Sequence, residues 1–283
     1  MKKLPKAVWV FMIAIAAITL LMAGHVALRW YPLRNIQDRP ELYETPATLG
    51  LSPFHSPESD PCDIGYARFS LPSEWRPQAW SSVEDSIVHG ISEKGRVNFL
   101  PPYDQEELLL DFLYFMNYNG KSRSDLGDTL LENSEIKDLF NNIDYKSLVI
   151  GANNTVPKPW IEILLMNHDE YNDYSIRMIY KSLSYYGGKT FIYENDRIWC
   201  IVSILIASDN IERVHIAIGN QDAGLIVSGN LLPDEKDDEK AVEAMKILLK
   251  TFRFTEDHVE SRAQVAEWIA RAGISPEPGQ TAP

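Results

Sequence analysis

The chain has 283 residues, 45% hydrophobic and 11% aromatic, which is enough apolar material for a folded core and too much for a disordered chain. Its formal charge is −13, and because residues 1–34 carry five Lys/Arg and no acid, the rest of the chain stands at −18. That excess excludes nucleic acid as a partner, since affinity for it rests on neutralising phosphates with Lys and Arg.

Residues Ala7 to Leu28 carry no charge and are broken only by Thr19 and His25. As a helix they would reach about 33 Å, against roughly 30 Å for the hydrocarbon core of a bilayer. An N-terminal transmembrane anchor over residues 1–30 is therefore predicted. Lys2, Lys3 and Lys6 precede the run and Arg29 and Arg34 follow it. This bias points the N-terminus to the cytoplasm and the C-terminal domain outward, to the periplasm in a bacterium. The same domain on the cytoplasmic side is the other arrangement. Trp9 and Trp30-Tyr31 suit the two headgroup levels. A cleaved signal is the competing reading, but its apolar core usually spans about 7–15 residues before a small-x-small site. Here Leu21-Met22-Ala23 and His25-Val26-Ala27 are poor sites, and no Cys follows for lipid attachment.

Pro32, Pro40, Pro46, Pro53, Pro57 and Pro61 make residues 31–61 an extended linker. An α+β domain is expected over 62–256. Tyr66 to Leu71 alternates apolar and polar and stops at Pro72, which reads as a strand. Ser86 to Ser92 and Arg96 to Leu100 flank Glu93-Lys94-Gly95 as a hairpin. Asp104 caps a helix expected over Leu108 to Tyr118, with a shorter one over Ser134 to Asn142. The apolar run Trp160 to Met166 is read as a strand, and Asp173 to Tyr186 as a helix ending at Gly187-Gly188.

Thr190 to Tyr193 and Arg197 to Ala207 form a second hairpin, Glu212 to Ile218 and Gly224 to Leu231 a third pair. Ile198 to Ala207 is apolar on both faces and should be a central, covered strand. Asp234 to Lys250 is a helix with acids first and lysines last, followed by a short strand at Phe252-Arg253-Phe254. A last helix spans 257–272, and 273–283 is a disordered tail. These elements give an antiparallel sheet covered by helices.

Phe69-Ser70-Leu71-Pro72-Ser73-Glu74-Trp75 resembles the opening strand, proline and tryptophan of PsbP-like domains, and Ala241 to Phe254 resembles their last helix and strand. The resemblance covers residues 62–256. It implies an α/β/α sandwich that serves as a binding or assembly module of a membrane-associated complex, with no chemistry of its own. No metal position carries over from it.

The chemistry-bearing motifs are weak. Ser134-x-x-Lys137 has the spacing of a lysine-activated serine, but Ser134 lies at a helix start, where a hydroxyl caps the backbone. No two of the six histidines lie three or four residues apart. His168-Asp169-Glu170 sits on a loop and points three ways, while His215 alternates with apolar neighbours as an interior histidine does. Residues 234–239 lack the spacing of a calcium loop. Ser228-Gly229 lacks a nucleophile elbow, and Gly187-Gly188-Lys189-Thr190 lacks the first glycine of a phosphate loop. Asn153-Asn154-Thr155 matches a glycosylation sequon.

Cys62 and Cys200 permit one disulfide outside the cytoplasm, or are two buried thiols. No cofactor is expected. The expected partners are the membrane, through residues 7–28, and one or more proteins. The reading is a membrane-anchored, non-catalytic subunit or accessory factor; the alternative is a membrane-tethered hydrolase whose site is scattered in sequence. Trp75, Trp80, Tyr185 and Tyr186 are the candidate binding surface, against core burial.

Overall fold

Strand segments with alternating or wholly apolar faces supply most of the architecture. A computed structural model describes residues 24, 33, 39–50, 59–83, 87–103, 144–184, 188–207, 210–221, 224–234, 238–256, 258–259 and 261–276. The chain divides into two compact units, 1–45 with 151–185 and 46–150 with 186–283.

The second unit holds all the strands found among the described residues. They are β1 (Ala47–Thr48), β2 (Ser59–Asp63), β3 (Ala67–Pro72), β4 (Trp80–Val83), β5 (Ile87–Ile91), β6 (Gly95–Phe99), β7 (Lys189–Glu194), β8 (Ile198–Ala207), β9 (Asn210–Asn220), β10 (Ile226–Pro233), β11 (Arg253–Phe254) and β12 (Ser275–Pro276). Nine of them form one sheet in the order β1-β7-β8-β9-β10-β6-β5-β4-β12. Its interior pairs are antiparallel, but β1 runs parallel to β7 and β12 parallel to β4. β2, β3 and β11 make a separate three-stranded antiparallel sheet.

The expected fold is corrected on two counts. The main sheet is mixed rather than antiparallel, and the strand read at 66–71 belongs to the smaller sheet. Among the described residues, no helix is long and apolar enough to cross a membrane. Ala7 to Leu28, apart from Gly24, lie outside the described residues, as do both helices read between 108 and 142. The sheet was misjudged because alternation reveals a strand's faces and says nothing of its partner. A two-residue parallel edge strand has no period to detect.

The three expected hairpins are present, as β5–β6, β7–β8 and β9–β10. β8 is central and buried on both faces: Ile198, Cys200, Val202 and Ile204 join the main core, while Trp199 and Ile201 face the other way. Beyond the strands come α1 (Tyr145–Asn154), α2 (Trp160–Leu165), α3 (His168–Ser184), α4 (Asp238–Thr251) and α5 (Arg262–Arg271). α4 packs on β3, β9 and β10. The two sheets meet through Phe69, whose ring lies 4.9 Å from Phe99, 6.2 Å from Trp80 and 6.0 Å from Phe252.

In the first unit, Leu33, Leu42, Ile163, Tyr174 and Met178 form a small core. The predicted linker is thus partly folded, with Leu33 and Leu42 buried, a 3-10 turn at Pro40–Tyr43, and β1 and β2 beyond it. Trp160 to Leu165 is a helix, not the strand expected. Pro159 opens it and accepts from Glu162 N at 3.0 Å, and so short an apolar run fits either period. α3 starts at His168, five residues early, because Asn167 and Glu170 form a reciprocal capping box at 2.9 and 3.0 Å. Ser275–Pro276 of the predicted tail is β12.

Candidate functional site

The short turn between β2 and β3 builds one wall of a cleft of about 390 Å³ in the second unit. Asp63 at the end of β2 organises it, accepting from Gly65 N at 2.9 Å with one carboxylate oxygen and from Arg68 Nε at 2.7 Å with the other. Gly65 takes φ +91°, a left-handed conformation that favours glycine. A Cβ there would meet the Trp268 carbonyl oxygen at 2.3 Å, so only glycine lets the turn press against α5. Thr255, just past β11, closes the wall by donating its hydroxyl to Gly65 O at 2.6 Å and its N–H to Tyr66 O at 3.1 Å.

Three guanidinium groups line this cleft: Arg68 on β3, Arg253 on β11 and Arg271 on α5. Arg253 stands directly opposite Arg68 in the antiparallel ladder, an arrangement that costs stability when charges are alike. Asp63 offsets Arg68, and Glu256 lies 4.0 Å from Arg271. Both pairs are solvent-exposed and worth at most about 1 kcal/mol each. Arg253 has no carboxylate partner among the described residues. On a chain this acidic, three cations lining one cleft with two carboxylates between them leave one positive charge unmatched among the described residues. Such an arrangement can hold a carboxylate or another small oxyanion through paired N–H donors.

Away from the cleft, Lys181 and His215 are buried. In the first unit, the Lys181 ammonium donates to the carbonyls of Leu42, Glu44 and Thr155 at 2.8, 2.8 and 2.9 Å. Burial pushes its pKa down to about 8, against the pull of the Glu44 carboxylate. All three protons are spent on the backbone, so this lysine staples segments together. On β9, His215 Nδ1 lies 3.1 Å from Asn230 Oδ1 of β10. It is the hydrogen-bonded interior histidine that its strand alternation suggested.

Two of the four candidate binding aromatics lie among the described residues. Trp75 ends a 3-10 turn (Ser73–Trp75) and is 1% exposed, and Trp80 is half-buried against Phe69 and Phe99, so both serve the core. Tyr185 and Tyr186 lie outside the described residues, as do Ser134 and Lys137. Cys62 on β2 and Cys200 on β8 are both buried and are not joined by a disulfide, and burial pushes the Cys200 thiol far up. His168 sits in the first turn of α3, where it meets Asn172 at 3.2 Å. Among the described residues, no three His, Cys, Asp or Glu side chains gather to hold a metal ion.

None of the three arginines stood out in the sequence. Each reads as one more outward charge between apolar neighbours; the long-range pairing of β3 with β11 brings Arg68 and Arg253 together, and the packing of α5 adds Arg271. No family model matches the chain, and no curated protein matches it.

Proposed function

We propose that this chain is a membrane-tethered, non-catalytic binding module whose arginine cleft receives a carboxylate-bearing segment of a partner protein. The observation that carries the reading is Arg253, without a carboxylate partner among the described residues and set opposite Arg68 on the cleft wall. A bound carboxylate would relieve that like-charge pairing and gain bidentate hydrogen bonds. The volume is near the lower end of small-ligand sites, roughly 300–1,000 Å³, which suits one or two acidic side chains or a chain terminus. The tether is the uncharged stretch Ala7 to Leu28, and the three lysines before it favour an extracytoplasmic body.

Isothermal titration of a hexaglutamate peptide into the full chain in detergent tests the reading. Arg253→Ala should weaken binding at least about tenfold, equivalent to roughly 1.4 kcal/mol. Arg213→Ala, an exposed arginine on β9 outside the cleft, should leave it unchanged. Equal loss from both variants, or from neither, overturns the cleft as the binding site.

A further inference from the structure

The first unit exposes an apolar helix face. Trp160, Ile161 and Leu165 of α2 are 52%, 53% and 79% exposed, while Ile163 is fully buried in the small core. At about 100° per residue, Trp160, Leu164, Ile161 and Leu165 fall in order on one arc of roughly 140°. Ile163 lies off that arc on one side and the charged Glu162 on the other. Tyr43 and Val156, of the same unit, add to the exposed apolar surface. A helix with one buried apolar residue and a wider apolar face outward is inverted relative to an ordinary surface helix.

Chain length says what covers it. Leu33 and Ile163 share one core, and Leu33 comes five residues after Leu28, the last residue of the apolar N-terminal stretch. Five residues reach at most about 18 Å even when fully extended. If Ala7 to Leu28 sits in lipid, the core beneath α2 cannot stand farther than that from its exit point. We propose that the outward face of α2 rests in the headgroup layer of the same bilayer, an inference that builds on the tether reading. Tryptophan and aliphatic side chains suit that layer, and an amphipathic helix sinks roughly 5–10 Å into it. Three side chains bind weakly alone, but the tether turns the contact into an intramolecular one of high effective concentration. The occupant is a neutral lipid surface, because Glu162, Asp169 and Glu170 nearby would resist an anionic one.

The test uses the full chain with Leu165→Cys, Ile161→Cys or Glu162→Cys carrying an environment-sensitive fluorophore; both native thiols are buried and should not take label. Ile91→Cys on β5, an exposed apolar position of the other unit, is the comparison. Each protein is reconstituted in phosphatidylcholine vesicles with or without brominated acyl chains, and iodide is added from the buffer. Brominated lipid should quench the labels at 161 and 165 at least threefold more than those at 162 and 91, with iodide showing the reverse. Equal iodide quenching at all four positions overturns the docking of α2. Labels at 161 and 165 shielded from both quenchers also overturn it, and point to a protein or a second copy on that face. Flotation of the same vesicles separates the two ideas: a chain that fails to float refutes the tether itself, and the docking with it. One that floats without lipid quenching refutes the docking alone.

Discussion

His215 ties the stability of the large sheet to pH. Burial is the first cause holding its imidazole below the usual value, Arg213 adds to it, and the Asn230 bond opposes it. The unfolded chain therefore binds a proton near pH 6.5, where the folded chain still refuses it. Stability is full above that value and falls as the pH drops from about 6.5 towards the depressed folded value. Urea unfolding followed between pH 7 and 5 should show a declining midpoint, and His215→Gln should flatten the decline. The alternation of Val214-His215-Ile216 was enough to place this histidine inside. The partner Asn230 was not legible, because it sits 15 residues away and the register of β10 decides the match. Arg68 and Arg253 were hidden more deeply, since 185 positions separate them and nothing local marks either side chain.

Where a helix begins is decided by a few hydrogen bonds, and α3 illustrates it. The reciprocal bonds of Asn167 and Glu170 satisfy two N–H groups that would otherwise lack partners. Asn167→Ala should cost about 1 kcal/mol in a denaturant titration, and Glu170→Ala should cost somewhat less. That pattern was present in the sequence as N-x-x-E, yet reading His168-Asp169-Glu170 as a loop moved the expected start inward to Asp173. Hairpins were the most legible elements, because a polar turn between two apolar runs states both the elements and their pairing. α2 was the least legible. With six residues and one of them buried, it shows neither a clean strand period nor an inward helical stripe.

The two units differ in how much apolar surface they bury. In the second, one continuous core runs through β8, β9, β10, α4 and α5, whereas among the described residues the first has a cluster of five buried apolar side chains and the Lys181 staple. Opening free energies should differ accordingly. By hydrogen exchange, the amides of Val202, Ile216 and Val227 should be the slowest in the chain, and those of α2 faster by at least about a hundredfold, near 3 kcal/mol. Uniform protection across both would show a single cooperative block instead. Composition made a sizeable core foreseeable. The division was not, because Leu33 and Leu42 pack on a helix pair more than a hundred positions downstream, and no local signal announces such a closure.

The large sheet ends on both sides in two-residue stubs, β1 against β7 and β12 against β4, one of them finishing in Pro276. A long bare strand border invites a neighbouring molecule to zip on, whereas a stub too short to template a stack, with proline where a donor would be, stops that growth. These four residues act as bookends. Trimming either terminus as dispensable linker or tail would uncover β7 or β4, and would turn a closed-off sheet into one that recruits its own copies.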